Sequence, residues 1–306
     1  YVKSSEQSNQ EVGDRANDAI RIDGRELRIK VVGEGGNLGM TQKGRIEYAL
    51  NGGRLNTDAV DNSAGVDCSD HEVNIKIPLN RLLLAGKISE DQRNKLLVEM
   101  TDDVSSLVLE DNYLQTQAIS LAQAAGVKQL EAHRRLIVTL EKEKLLNRRL
   151  EYLPDEEEIA DRALAKKSLT RPELSVLIAY AKMSLNGALI SSELIDDPYF
   201  EDSLIDDFPP QLGQKYGDSL KNHQLRREII ATILSNTVIN RAGLTFVNSV
   251  QEETGVTAAE VVHGSGRGLM TLITRCRRQS RLSCILRSLI LPGVKPSGLS
   301  ATRLMA

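Results

Sequence analysis

Leu27-Arg-Ile-Lys-Val-Val32, Gly33-Glu-Gly-Gly-Asn-Leu-Gly39, Met40-Thr-Gln-Lys-Gly-Arg-Ile-Glu-Tyr-Ala-Leu50, Asn51-Gly-Gly53 and Arg54-Leu-Asn-Thr-Asp-Ala-Val60 follow one another without a gap. The first block alternates and ends in β-branched residues, which predicts a strand. The glycine run after it frees the backbone for conformations that side chains forbid. Thr41 opens a short helix through about Leu50, which Asn51-Gly52-Gly53 stops. Residues 54–60 predict a second strand, closing on Asp61-Asn-Ser-Ala-Gly65. Strand, glycine turn, helix, strand is the grammar of a parallel α/β sheet. Two strands make no stable sheet by themselves. The expected fold class is therefore α/β followed by mostly α: a truncated remnant of a Rossmann-type parallel sheet plus a C-terminal helical domain.

Downstream of Ile77 the periodicity becomes helical. Leu96, Leu97, Met100, Val104, Leu107 and Val108 recur at three- and four-residue spacings within 89–123, with a break expected near Asp111-Asn112. Residues 128–150 predict a second amphipathic helix, and 222–241 another. Thr170-Arg-Pro-Glu173 is a capping box with proline in the first turn, opening a helix through about Ile190. Thr257-Ala-Ala-Glu260 opens one more. The acidic run Asp155-Glu-Glu-Glu158 suits a helix's first turn, where the macrodipole favours negative charge. The expected division is 1–77 as the end of a dinucleotide-binding domain, 78–263 as a helical domain and 264–306 as a basic tail.

The composition excludes several classes. The 306 residues are 41% hydrophobic and 26% charged, with no Trp, three Phe and seven Tyr, so the cores must be aliphatic. No apolar run approaches the roughly 18 residues of a membrane helix, and Tyr1 to Asp23 has no signal-peptide character. The absence of an initiator Met suggests a chain that begins inside a longer protein. Three cysteines (Cys68, Cys276, Cys284) make no disulfide framework, which fits a reducing, cytoplasmic compartment. Residues 264–306 carry eight basic side chains and no acidic one, so the −3 of the whole chain leaves −11 on residues 1–263.

Two segments carry the candidate chemistry. A dinucleotide fingerprint needs Gly-x-Gly-x-x-Gly between strand and helix. Gly33-x-Gly35 is followed by Leu38 where the third glycine belongs, and Asp58 stands where a ribose-binding acid is expected. Taken by itself this is a weak match beside a structural tight turn. In Asp61-Asn-Ser-Ala-Gly-Val-Asp-Cys-Ser-Asp-His-Glu72, small residues after a strand let a ligand approach the backbone. Asp67, Cys68, Asp70 and His71 mix hard and soft metal ligands without HExxH or paired CxxC spacing, so no metal is expected. Cys68 with His71 lacks the surroundings of a nucleophile pair.

Read together, these segments are specific. Val31 to Gln42, Arg45 to Leu50 and Asp61 to Ile77 strongly resemble the large bacterial NAD-specific glutamate dehydrogenases. So do Gly13 to Ile20, Leu109 to Gln117 and Leu169 to Tyr180, and the likeness covers residues 1 to about 263. It implies NAD-dependent oxidative deamination of L-glutamate to 2-oxoglutarate and ammonium by a homo-oligomeric parent enzyme. The Glu-Gly-x-Asn turn of the smaller glutamate dehydrogenases lies beside the nicotinamide riboside. Its match, Glu34-Gly35-Gly36-Asn37, implies that Asn37 hydrogen-bonds the nicotinamide end of NAD while Gly35 and Gly36 allow close approach. Their Asn-x-Gly-Gly-Val-x-x-Ser segment is matched by Asn62 to Ser69, which implies Ser69 on the substrate's side-chain carboxylate, with Ala64 and Val66 shaping the pocket. Ala64 replaces a glycine of the small enzymes, and Asp70-His71-Glu72 replaces aromatics.

The family's catalytic lysine and aspartate have no match in this sequence and are expected upstream of Tyr1, so the chain by itself is expected to be inactive. The tail from Gly264 is expected to be the product of a shifted reading frame, since acids and aromatics vanish there together. A reading from another class is a helical interaction module whose basic tail binds nucleic acid. That tail contains no Phe, Tyr or Trp on which bases could stack, which disfavours nucleic acid as a partner.

Overall fold

The computed structural model describes residues 1–36 and 39–264. The expected cofactor residue Asn37, its neighbour Leu38 and the basic tail from 265 onward lie outside the described residues. Tyr1–Val262 forms one compact unit, and of the residues after it His263 and Gly264, both exposed, are described.

The N-terminal part contains β1 (Val2–Lys3), α1 (Asn9–Val12), β2 (Ile22–Asp23), α2 (Gln42–Leu50) and α3 (Asp58–Asp61). Helices then follow almost without interruption: α4 (Ser63–Leu84), α5 (Glu90–Glu99), α6 (Thr101–Ala125), α7 (Leu130–Lys142) and α8 (Glu156–Leu164). The last five are α9 (Arg171–Ile190), α10 (Glu201–Asp206), α11 (Pro210–Lys221), α12 (Arg226–Ala242) and α13 (Phe246–Thr254). The chain is thus mostly helical, with a small parallel sheet in which Val2 pairs with Ile22 and Lys3 with Asp23.

The expected strands at 27–32 and 54–60 do not form. Their pairing shrinks to one parallel bridge between Val31 and Arg54, with Val32 N donating to Arg54 O (2.9 Å) and Arg54 N to Lys30 O (3.0 Å). The parallel sense survives and the strands do not. The reason is visible in the exposure of Ile29 and Val31, 56% and 65%: no described element covers that face, so alternation there buries little. On the other side of the bridge, Asp58–Asp61 coils into a helical turn instead of extending. Helix α2 between them forms as expected. Thr41 Oγ1 caps it by accepting from Gly44 N at 3.0 Å, and Gly52, at φ +90°, follows its end. Gly44 is required by packing, since a Cβ there would lie 2.8 Å from the Lys3 carbonyl carbon.

Among the helices, the capping signals are accurate. Glu173 Oε2 accepts from both Thr170 N (2.5 Å) and Thr170 Oγ1 (2.7 Å), opening α9 as expected. Asp155 caps α8, and Thr257 and Glu260 make the other expected box, before the helical turn at 258–264. Other boundaries moved. The helical region begins at Ser63 rather than Ile77, and the break falls at Met100 rather than Asp111-Asn112. Helix α7 stops at Lys142; Lys144 and Tyr152 turn left-handed, and Arg148 ties the following loop to Glu141 and Glu156.

The main core lies where α9 packs on α12, α6 and α7. Leu174, Leu177, Ile178 and Leu189 of α9 and Ile230 and Leu234 of α12 are fully buried. Among the described residues no helix is long and apolar enough to cross a membrane.

Candidate functional site

The glycine turn is built by a glutamate. Glu34 is buried, and its carboxylate meets the Arg45 guanidinium of α2 through Nε–Oε2 (2.6 Å) and Nη2–Oε1 (3.0 Å). Met40 N also donates to Glu34 Oε1 at 3.1 Å, so one carboxylate closes the turn onto the helix that follows it. Asp58, in the place of a ribose-binding acid, instead lies 3.1 Å from Arg45 Nη2. That spacing belongs to the ion pair. None of Gly33, Gly35, Gly36 or Gly39 has a positive φ, which corrects the expectation that these glycines serve unusual backbone conformations. At Gly35 and Gly36 an added Cβ would meet no described residue within 4 Å, and both glycines are exposed. Among the described residues, none fills the space over them.

The segment carrying Ala64, Val66 and Ser69 is a helix, not the loop that the expected second strand would have fed. Gly65 costs a helix about 1 kcal/mol against alanine, but α4 recovers far more by burying His71, Ile75, Leu79 and Leu82 on one face. Val66 and Ser69 lie three residues apart on its exposed side. Ala64, partly buried, lies about 140° around the helix from Ser69 at 100° per residue. Val66 and Ser69 are therefore brought together and Ala64 is turned away from them.

The turn and the start of α4 are joined directly. Glu34 N donates to Asp61 Oδ2 at 3.0 Å, and Asp61 Oδ1 accepts from Asn56 Nδ2 at 2.6 Å. Gly35 and Gly36 consequently stand next to the chain that leads into Ser63–Leu84.

Along α4 is a polar cluster of which sequence reading grouped Asp67 and His71 but missed the members on α6 and α9. The ligand atoms of Asp67, His71 and Asp111 lie within 4.8 Å of one another, Asp67 and His71 from α4 and Asp111 from α6. Cys68 and Asp70, grouped with Asp67 and His71 in the sequence, are exposed and outside it. Lys182 of α9 faces the same carboxylates and donates to Gln115 Oε1 at 2.6 Å. Burial, and then the neighbouring Asp111 carboxylate, push the Asp67 carboxyl up to about 6. Burial pulls the Lys182 ammonium down to about 8, with Asp111 and Asp67 opposing it. The lysine thus supplies the positive charge that two close carboxylates demand. The i, i+4 spacing of Asp67 and His71 was the one available sequence signal.

Comparison with known proteins covers most of the chain. The family described as bacterial NAD-glutamate dehydrogenase, catalytic domain, matches residues 1–122, and the one described as glutamate dehydrogenase, C-terminal, matches 166–266. The NAD-specific glutamate dehydrogenase of Pseudomonas aeruginosa is 53% identical over 261 residues, 85% of this chain. Those of Halomonas elongata and Mycobacterium tuberculosis are 50% and 46% identical over 85% and 86% of it. The chain spans 16% of the length of each of these relatives.

Proposed function

We infer, for a chain that belongs to the family of bacterial NAD-specific glutamate dehydrogenases, that it forms one wall of an active site in which L-glutamate, NAD⁺ and water become 2-oxoglutarate, ammonium, NADH and a proton. The observation that carries this reading is the bond between Glu34 N and Asp61 Oδ2, which unites the two segments that resemble cofactor and substrate sites. Residues 1–77 supply the carboxyl end of a Rossmann-type cofactor domain in this account, and 78–263 a helical domain behind it.

NAD, when bound, accepts the hydride from the substrate's α-carbon. Gly35 and Gly36 fit a close-packed cofactor edge, being exposed with no described residue within 4 Å of an added Cβ. Glu34 and Arg45 hold that surface still. Asn37 is proposed for the nicotinamide end. Ser69, exposed on α4, is proposed to donate to the substrate's side-chain carboxylate, with Val66 beside it. Ala64 enters only through the backbone near the helix start. The proton-transfer groups are proposed to come from the part of the longer relatives that this chain does not match, and a homo-oligomer is the proposed assembly.

The test is a chimera in which residues 1–262 replace the matching stretch of the Pseudomonas relative. It should form NADH from glutamate and NAD⁺. Ser69→Ala in it should raise the glutamate KM by about tenfold or more, the loss of one charge-assisted bond, with NAD KM little changed. A folded chimera without turnover, or an unaltered glutamate KM, would remove the respective assignment.

A further inference from the structure

We infer that Arg171 is a positioning residue: from the first turn of α9 it sets, through Asn56 and Asp61, where the turn at Glu34–Gly36 stands. The inference rests on the cofactor role proposed above for that turn.

The chain of contacts is continuous and each link uses a different atom. Arg171 Nε donates to Asn56 Oδ1 at 2.5 Å. Its other nitrogens are spread over α6, Nη1 donating to Ser120 Oγ (2.9 Å) and Nη2 to the Thr116 carbonyl (3.2 Å). The guanidinium is planar and presents its donors in a fixed fork, so three anchors leave it no freedom to rotate. Asn56 then spends its amide nitrogen on Asp61 Oδ1 at 2.6 Å, and Asp61 spends its second oxygen on Glu34 N at 3.0 Å. With its oxygen toward arginine and its nitrogen toward aspartate, Asn56 has one orientation that satisfies both neighbours.

A simple electrostatic staple would place Arg171 directly against Asp61. Instead a neutral amide stands between them, which transmits orientation and leaves the two charges to act on each other at longer range. A second contact runs in parallel: Gln42 Nε2, beside the Thr41 cap of α2, donates to the Pro172 carbonyl at 3.4 Å. The turn is therefore held at its carboxylate by Arg45 and at its backbone nitrogen by a relay that starts in the helical core. Any shift of α9 reaches Gly35 and Gly36 through those atoms.

Asn56→Asp tests this with almost no change of shape, because it keeps the acceptor for Arg171 and places a carboxylate against Asp61. In the 306-residue chain, amide hydrogen exchange of the peptide covering 33–36 should rise about tenfold or more in Asn56→Asp. Arg171→Ala should give a similar rise, and the double variant no larger one, since the two substitutions cut the same line. Arg171→Lys, which keeps one donor, should restore part of the protection and serves if the alanine variant fails to fold. Unchanged exchange in folded Asn56→Asp, or independent increments that multiply in the double variant, would overturn the relay. In the chimera, Asn56→Asp should raise the NAD KM several-fold and leave the glutamate KM alone; an unchanged NAD KM would overturn the positioning role. A chimera with no turnover would count against the proposed function, while the exchange measurement would still decide the relay.

Discussion

Among the described residues, 1–61 bury five hydrophobic side chains, Val60 and the cluster of Val2, Met40, Tyr48 and Leu55, whereas α9 alone carries Leu174, Leu177, Ile178 and Leu189 fully buried. The first region compensates with charge. Glu34, Arg45, Asp58 and Asp61 lie in one connected set. The second region uses its buried ion pair differently: Arg162 donates to both oxygens of Glu173 at 2.8 Å, and the same carboxylate completes the α9 cap. A polar network can thus define a turn where there is too little apolar surface to do so, while in a well-filled helical core it fixes where a helix begins. The comparison predicts that damage in the first region stays local and damage in the second spreads.

The largest expected effects come from the two carboxylates. Glu173→Leu removes the buried partner of Arg162 and the α9 cap together, leaving the guanidinium only the more exposed Glu158, at a cost on the order of 3 kcal/mol, and should lower the unfolding midpoint of the whole compact unit. Glu34→Leu likewise leaves Arg45 with a single carboxylate, Asp58, but its loss should appear in hydrogen exchange of 31–50 while the exchange of α9 and α12 is retained. Equal loss of protection in both regions would erase the distinction. Leu177→Ala should cost about 2–5 kcal/mol through the cavity it leaves, measured by denaturant unfolding. Thr41→Ala removes the α2 cap and a hydroxyl bond to Gln7 Oε1 (2.6 Å), and should cost about 1–2 kcal/mol, felt at α2 and the N-terminal loop.

A subtler test lies in pH. The folded protein holds the Asp67 proton up to about pH 6, well above an ordinary aspartate. The folded state then binds more protons than the unfolded one, so stability should fall as pH rises from about 4 to about 6. Lys182, lowered to about 8, gives the opposite sign at alkaline pH: stability should rise between about 8 and the ordinary lysine range. Asp67→Asn should flatten the acidic limb in urea titrations. An unaltered limb would show that the slope arises elsewhere.

Much of this organisation was legible in the sequence because it depends on neighbours in the chain. Thr41, Asp155, Thr170 and Thr257 announced their helices, and all four caps are present. The expected strands failed because alternation in 27–32 describes a face that no other described element covers. The role of Glu34 was hidden because its partner is eleven residues away, across a helix start. Asp111 and Lys182 could not have been joined to Asp67 by any spacing, since three helices have to pack before they meet. Of the proposed site, the resemblance supplied Gly35, Gly36, Asn37 and Ser69. The structure added the clamp that holds the turn and showed that Ala64 stands away from Val66 and Ser69.

Gly36→Val in the chimera tests the central claim most directly. A Cβ at Gly36 meets no described residue within 4 Å, and the glycine has no positive φ, so the substitution should leave the unfolding midpoint essentially unchanged. If the cofactor passes over this turn, the added methyls occupy its place. The account predicts a NAD KM raised by about tenfold or more, the scale on which a misfitted ligand contact is felt, at unaltered stability. A stable Gly36→Val enzyme with the parent's NAD KM would contradict it.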